Sequence, residues 1–261
     1  MHGAGVTVVH RARGLCGDLL VLDIDGRRHL RFGGVDGVDQ SVVQLRRPGQ
    51  LPTVYLRVAT LGIALARRVE RVLLIGLGGG AYARFLAHCF PGARIDVVEI
   101  DPIVVHLARE YFGLREGRRL RIHTGDAVDF VDEAGAGGLN YDSVFLDAYH
   151  GQAIPQALCR ASFFRRLRDL LSEGGTVTAN VGLPERWAED RLLRRFAGAF
   201  AGGCVEFPVP EEDNRIAVAW QGRRPSGRTI VARCRRADRE GGLPFELLPL
   251  AREPRIWSPR E

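Results

Sequence analysis

The stretch "LLIGLGGGAYARFL" (residues 73–86) decides how the rest of the sequence is interpreted. An apolar run leads into Gly76, Gly78, Gly79 and Gly80 and then into a helical pattern. Backbone N–H groups at such a helix N-terminus face a ligand with no side chain in the way. Because the spelling also satisfies the G-x-G-x-x-G/A pattern, nicotinamide dinucleotides, flavins and sulfonium nucleosides all remain candidate ligands.

From residue 71 onward, apolar strand-like runs alternate with helical patterns. This alternation predicts an α/β fold, a doubly wound Rossmann-like sheet of seven strands. The connection "PEED" (residues 210–213) is short and polar, which favours an antiparallel last pair. The seven runs are "RVLLI" (71–75), "RIDVVEI" (94–100), "LRIHT" (120–124), "DSVFLD" (142–147), "TVTANV" (176–181), "CVEFPV" (204–209) and "RIAVAWQ" (215–221).

Three regions are predicted along the chain. Residues 1–52 form a small β appendage, in which a hairpin is expected around the turn pair Asp25-Gly26. Residues 53–222 form the Rossmann-like nucleoside-binding catalytic domain, entered through a linking helix over residues 53–66. Residues 223–261 form a basic C-terminal tail, whose end either docks as a short segment or stays loose.

Three acids are expected along the carboxyl edge of the sheet. Glu99 ends the second strand about 20 residues after the glycine turn, where a carboxylate accepts the two ribose hydroxyls. Asp126 follows the third strand, where it accepts the adenine amino group beside the backbone amide of Ala127, caps the next helix, or does both. Asp147 ends the fourth strand, where an acid accepts a hydrogen bond from an attacking amine and helps to remove its proton.

Composition excludes several functional classes. The net charge of +6 comes mostly from arginine, but the basic residues are not interleaved with aromatic ones, so no nucleic-acid partner is expected. The five cysteines stand far apart, which predicts neither a metal site nor a disulfide framework. No apolar run is long enough for a membrane span, and we expect a cytoplasmic protein without a membrane partner.

At this point residues 18–222 resemble the polyamine aminopropyltransferases, the spermidine and spermine synthases. The motifs that carry the likeness are the hairpin, "GVDGVDQSV", "GLGGG", "VEID", "GDA", the strand-four aspartate and "LLSEGG", and it is closest to the bacterial spermidine-synthase-like branch. The resemblance implies a class I S-adenosylmethionine methyltransferase fold and a homodimer. It also implies that Glu99 binds ribose, Asp126 reads adenine, Asp147 deprotonates the amine and Tyr55 walls the acceptor groove. The predicted cofactor contacts are Gln40, Gly76, Gly78, Gly79, Gly80, Glu99, Ile100, Asp126, Ala127 and Asp147.

The sequence departs from the family pattern in the turn and in the acceptor motif. Gly79 stands where the family has an acid that pairs with the ammonium of decarboxylated S-adenosylmethionine. His150 replaces a second acid after Asp147, and Leu56-Arg57 follow Tyr55 where the family pairs the tyrosine with a glutamate. The choice between S-adenosylmethionine and its decarboxylated form is therefore open, and so is an acidic or neutral acceptor.

Two further side chains have open roles. Tyr149 either orients the acceptor through its hydroxyl, as a catalytic and substrate-binding residue, or packs over the cofactor. His150 either faces the substrate or lies on the rim of the site.

The leading functional hypothesis is a transferase that binds S-adenosylmethionine or its decarboxylated form and transfers an aminopropyl-type group to a small amine. The alternatives are an S-adenosylmethionine-dependent methyltransferase of a small molecule or natural product, and a catalytically silent module that binds a nucleoside or a partner. A nicotinamide oxidoreductase is allowed by the glycine turn, but no second catalytic domain is evident.

Overall fold

Strands and helices alternate in the computed structural model, which describes residues 5–35, 37–151 and 153–259. The strands are β1 (Thr7–Gly14), β2 (Gly17–Ile24), β3 (Arg27–Phe32), β4 (Val38–Val43), β5 (Arg71–Ile75), β6 (Arg94–Glu99), β7 (Leu120–Thr124), β8 (Tyr141–Leu146), β9 (Leu171–Asn180), β10 (Cys204–Pro208), β11 (Arg215–Trp220) and β12 (Arg255–Trp257). The helices are α1 (Val54–Leu65), α2 (Ala81–Cys89), α3 (Pro102–Tyr111), α4 (Ala127–Ala136), α5 (Ala161–Asp169), α6 (Arg186–Gly198) and α7 (Gly227–Glu240).

The main sheet has the strand order β12-β10-β11-β9-β8-β5-β6-β7. Strands β5 to β9 run parallel to one another. Strand β11 pairs antiparallel with β9, and β10 pairs antiparallel with β11. The expected reversal at residues 210–213 is thereby confirmed. The strand count of seven is wrong for the described residues, because β12 adds an eighth strand beside β10.

Alternate residues of the central strands enter two different hydrophobic clusters. Val72 and Leu74 of β5 pack with α1, α2, α3 and α7, whereas Leu73 and Ile75 pack with α4, α5 and α6. Because successive side chains of a strand point to opposite faces, the two clusters lie on the two faces of the sheet. The sheet is therefore covered by helices on both sides, as the sequence predicts.

The N-terminal region forms a separate four-stranded antiparallel sheet in the order β1-β2-β3-β4. The predicted hairpin is formed by β2 and β3, joined by Asp25 (φ 49°) and Gly26 (φ 74°). The appendage is thus larger than a single hairpin. The outer strands β1 and β4 are not evident in the sequence, because β1 and part of β4 are exposed or partly exposed and lack a clean apolar alternation.

Helix α1 links the appendage to the main sheet. Its buried face packs on β9 and β11, and a Cβ at Gly62 would lie 1.7 Å from the Thr178 hydroxyl oxygen. Only glycine allows the helix to approach the sheet this closely. The helix consequently starts at a fixed place above the carboxyl edge of the strands.

The C-terminal region is folded up to residue 259, so the option of a loose tail is wrong for its described part. Helix α7 buries Ile230 and Cys234 and packs against α1. The Asp238 carboxylate accepts hydrogen bonds from the backbone of Leu247 and Leu248, which fixes the chain before β12. The division into 1–52, 53–222 and 223–261 stays a proposal.

No helix in the described ranges is long and apolar enough to cross a bilayer.

We expect Trp257→Phe to lower the free energy of unfolding by about 1 to 3 kcal/mol. The buried Trp257 indole N–H donates to Glu206 Oε2 at 2.7 Å. Phenylalanine has no N–H group, so the variant loses this hydrogen bond. Chemical denaturation measures the effect. The control is Trp187→Phe, because Trp187 is 66% exposed and its replacement should change stability by less than about 0.5 kcal/mol. Equal effects of the two variants would contradict the anchoring role of Trp257.

Candidate active site

The glycine turn and the end of β8 touch through their backbones. Gly76 has φ 100°, and a Cβ there would lie 2.1 Å from the Asp147 carbonyl oxygen. The Gly76 N–H donates to Val98 O and the Asp147 N–H donates to Ile75 O, both at 2.9 Å. This close approach needs glycine and places the turn beside Asp147.

The Glu99 carboxylate fixes the glycine turn to the end of β6. Its two oxygens accept hydrogen bonds from Leu77 N at 2.9 Å and from Asp101 N at 3.0 Å. Burial raises the pKa of Glu99, while these backbone donors act in the opposite direction. The side chain lines the same cavity as Gly76 and Gly78. A carboxylate has about four acceptor positions, so Glu99 can still accept a hydrogen bond from a hydroxyl group.

The other predicted nucleoside contacts lie at the mouth of this cavity. Ile100 is 53% exposed, and Asp126 and Ala127 also line the opening. Asp126 accepts a hydrogen bond from Val128 N at 2.7 Å. It is therefore the N-cap of α4, which confirms the capping role that the sequence analysis allows. The cap uses one carboxylate oxygen, and contact with adenine stays a prediction.

Gly79 and Gly80 do not belong to the cavity lining, unlike Gly76 and Gly78. A Cβ at Gly79 would lie 2.8 Å from a ring carbon of Phe112, and one at Gly80 would meet Leu114 at 3.2 Å. The position that carries an acid in the family is therefore packed against an aromatic ring in this chain. A direct cofactor contact by these two glycines stays a prediction.

The Asp147 side chain lies between two hydrogen-bond donors. Its Oδ2 accepts from the Tyr55 hydroxyl at 3.2 Å, and its Oδ1 accepts from the Asn180 side-chain amide at 2.9 Å. Burial raises the pKa of Asp147 to about 6, although both hydrogen bonds lower it. A carboxylate with this pKa is ionised at neutral pH and can still take up a proton, which suits a general base.

Tyr149 and His150 take different positions after β8. The Tyr149 hydroxyl donates to Asn180 O at 3.2 Å and accepts from Gly182 N at 2.8 Å, which supports the end of β9. His150 is exposed and pairs with Ala153 through the backbone at the cavity rim. The catalytic role of Tyr149 and the substrate contact of His150 stay predictions.

The appendage closes one side of the cavity. Gln40 donates from its side chain to Gly151 O at 3.5 Å, and Asp101 accepts from Leu15 N at 2.6 Å while also capping α3 through Ile103 N. Asp101 is therefore both the N-cap of α3 and an anchor for the β1–β2 turn. That turn brings Cys16 into the cavity wall.

The cavity has a volume of about 910 Å³ and a strongly acidic lining. Among the described residues its lining includes nine carboxylates against two arginines, in a chain of net charge +6. Such a cleft attracts cations and disfavours anions. The acids are Asp39, Glu99, Asp101, Asp126, Asp147, Glu189, Glu206, Glu212 and Asp213, and the arginines are Arg186 and Arg215.

Sequence reasoning missed Asn180 and the loop that supports it. Asn180 is 3% exposed and ends β9 on the same edge as Glu99 and Asp147. Its position at the carboxyl end of a strand is a signal that the sequence carries, since ligand sites of open α/β sheets lie there. Its hydrogen bond to Asp147 depends on the pairing of β8 with β9, so it cannot be predicted from residue spacing along the chain.

Among the described residues, no cluster of His, Cys, Asp or Glu could hold a metal ion.

The parallel strand ends, the glycine turn and the half-buried Asp147 are the features of a transferase with a methyltransferase-like α/β fold. The spermine/spermidine synthase domain family matches residues 56–194, more than half of the chain. The chain belongs to this family. A polyamine aminopropyltransferase of Vibrio vulnificus is 32% identical over 216 residues, which cover 82% of this chain and 72% of that protein.

Solved structures have the same fold. A probable spermidine synthase from Corynebacterium glutamicum has a TM-score of 0.72 at 21% identity and covers 97% of this chain and 96% of its own. Human methyltransferase-like protein 13 in complex with SAH has a TM-score of 0.63 at 23% identity, covering 78% of this chain and 95% of its own. At these identities the likeness concerns the fold alone.

We expect the free energy of unfolding of Asp147→Asn, measured relative to the wild type, to be higher above pH 6 than near pH 4. An unfolded carboxyl ionises near pH 3.8, whereas the native pKa of Asp147 is about 6. The native state thus binds an extra proton between these values, and the wild type loses at most about 3 kcal/mol as pH rises through this window. The variant has no such loss.

Denaturant titrations of the wild type and Asp147→Asn at several pH values measure this difference. Asp213→Asn is the matched control, because it replaces an exposed carboxylate of the same cavity by the same amide. A stability difference between wild type and Asp147→Asn that is independent of pH would show that Asp147 ionises normally.

Proposed function

We propose that this protein transfers an aminopropyl group from decarboxylated S-adenosylmethionine to a small amine. The observation that carries the proposal is the half-buried Asp147 carboxylate, which lies beside the glycine turn and is held by Tyr55 and Asn180. Family membership gives the reaction class. The acidic cavity supports substrates that are cations.

The reaction follows from the position of this acid. The amine gives up a proton to Asp147, and its lone pair attacks the propyl carbon bonded to the sulfonium sulfur. A C–N bond forms while the C–S bond breaks, and the bonding electrons go to sulfur, leaving a neutral thioether nucleoside. The enzyme chiefly aligns the two reactants, and alignment of this kind lowers barriers by roughly 7 to 11 kcal/mol.

The cofactor is assigned to the part of the cavity next to the glycine turn. We assign the ribose hydroxyls to Glu99, the adenine to Ile100, Asp126 and Ala127, and the sulfonium end to the space between Gln40 and Asp147. Gly76 and Gly78 line this part of the wall and expose backbone rather than side chains. S-adenosylmethionine would fit the same nucleoside contacts. The two compounds differ in the carboxylate on the chain attached to sulfur, so the residues around that chain determine which one binds more tightly.

The acceptor is assigned to the other part of the cavity, beside Tyr55. Arg57, which the sequence places near this groove, donates instead to Leu51 O at 2.8 Å and to Pro52 O at 3.5 Å. It is absent from the cavity lining, whereas Glu212 and Asp213 belong to it. These charges favour a cationic amine over an acidic or neutral acceptor.

A methyltransferase remains the second candidate. It is favoured by Gly79, where the acid that would pair with the cofactor ammonium is replaced by glycine packed against Phe112. The mass added to the acceptor distinguishes aminopropyl from methyl transfer.

A homodimer and a cytoplasmic location stay predictions.

The missing acid at Gly79, taken alone, predicts that any preference for decarboxylated S-adenosylmethionine is under about tenfold. The acidic cavity leads us to predict instead that the protein binds the decarboxylated form at least about tenfold more tightly than S-adenosylmethionine, or 1.4 kcal/mol. The carboxylate of the intact cofactor would meet the excess of acids in the cavity. Isothermal titration calorimetry with each compound measures this ratio. Equal affinities, or a preference for the intact cofactor, would favour the methyltransferase.

We expect Asp147→Asn to lower kcat by about 10² to 10⁴ with decarboxylated S-adenosylmethionine and putrescine, because the general base is lost. The calorimetric affinity for the nucleoside should change little, since Glu99 and the glycine turn are untouched. Tyr141→Phe is the control: it also removes a buried polar group, but its hydroxyl binds Asp96 away from the cavity. Turnover that is retained in Asp147→Asn would exclude this residue as the base.

A further inference from the structure

The loop of residues 209–214, between β10 and β11, touches both groups that bind Asp147. Glu212 binds the start of the helix that carries Tyr55. Asn214 binds the side chain of Asn180. Neither loop residue is among the contacts that Asp147 itself makes.

The first connection runs through the N-terminus of α1. Thr53, at the N-cap position, makes no side-chain cap hydrogen bond. Instead Glu212 accepts from Val54 N at 2.7 Å and from Tyr55 N at 2.8 Å. A carboxylate at this place satisfies two orphan amides and is attracted by the helix dipole. The bonds fix the backbone of Tyr55, whose hydroxyl reaches Asp147.

The second connection runs through the amide of Asn180. Asn214 donates from its amide nitrogen to the Asn180 side-chain oxygen at 3.1 Å. The Asn180 nitrogen is thereby directed at Asp147 Oδ1, at 2.9 Å. An amide has a donor end and an acceptor end, so the donor on Asn214 decides which end faces the carboxylate. Without it, Asn180 is free to rotate its oxygen towards Asp147.

We propose that residues 209–214 form a positioning loop, in which Glu212 and Asn214 orient Tyr55 and Asn180 and so hold the Asp147 carboxylate in place for the reaction. The effect on turnover rests on the proposed function. The effect on the carboxylate itself rests only on the contacts above. Glu212 and Asn214 are positioning residues, since they act through other side chains.

The charge environment of Asp147 makes the proposal measurable. The titratable groups that face it are phenols, Tyr55 from α1, Tyr82 from α2 and Tyr149 after β8, whose pKa values burial raises. The charge of Glu212 also raises the pKa of Tyr55, and Asn180 and Asn214 are neutral. Loss of the hydrogen bond from Asn180 removes a contact that lowers the pKa of Asp147, so that pKa rises above about 6.

The experiment follows the Asp147 carboxyl carbon by ¹³C NMR over a pH titration, with Asp147→Asn to assign its signal. We expect Asn214→Ala to shift the titration midpoint upward by about half a unit to one unit. Asn214→Asp should shift it further, because an aspartate accepts from the Asn180 nitrogen and turns the Asn180 oxygen towards Asp147. Glu211→Gln is the control in the same loop, since Glu211 is exposed and should leave the midpoint unchanged.

Kinetics with decarboxylated S-adenosylmethionine and putrescine give the second measurement. We expect kcat to fall about tenfold in Asn214→Ala and further in Asn214→Asp, with the KM for the nucleoside unchanged, and the acid limb of the pH profile to move upward. Glu212→Gln, which keeps one acceptor for the two α1 amides, should lower kcat less. Circular dichroism checks that each variant is folded. If an Asn214 variant does not fold, the kcat of Glu212→Gln tests the loop instead.

The outcomes separate the two proposals. Unchanged Asp147 midpoints in the Asn214 variants would overturn the positioning loop, whatever the activity. A wild type that converts no amine would overturn the proposed function, whereas the NMR titration would still test the loop. Shifted midpoints together with an unshifted acid limb would show that the loop holds Asp147 but that Asp147 is not the base.

Discussion

The site depends on one close backbone approach, that of Gly76 to Asp147. Pairing of β5 with both β6 and β8 brings the ends of these strands together, and the backbone then has room only for a residue without a Cβ. Glu99 binds the glycine turn on one side of this contact, and the half-buried side chain of Asp147 lies on the other. A bulkier residue at position 76 would push the glycine turn and the end of β8 apart.

Around that contact the chain builds an acidic cavity in a basic protein. The appendage covers it through Gln40 and the β1–β2 turn, α1 covers it with Tyr55, and residues 209–214 fix the start of α1. Most of the arginines lie outside the lining, and Arg215 is paired with Glu189, Asp190 and Glu206. The charge of the whole chain is therefore a poor guide to this cavity, whose lining has a local excess of carboxylates.

The sequence predicts the parts of the site that local rules determine. Glu99, Asp126 and Asp147 each follow a strand of a parallel sheet, so their shared edge is predictable from periodicity alone. Asn214 and Glu212 are not, because their contacts join residues 34 and 158 positions apart along the chain. The strand β12 was missed because it is only three residues long, and its place depends on the tertiary contact between Trp257 and Glu206.

The central claim is that this edge binds a sulfur-bearing adenosine with its sulfur beside Asp147. A crystal structure of the protein with 5′-methylthioadenosine, the neutral nucleoside that aminopropyl transfer releases, tests it most directly. The account predicts ribose hydroxyls hydrogen-bonded to Glu99, adenine at Asp126 and Ala127, and sulfur pointing to the carboxylate between Tyr55 and Asn180. A nucleoside bound elsewhere, or with its sulfur turned away from Asp147, would contradict it.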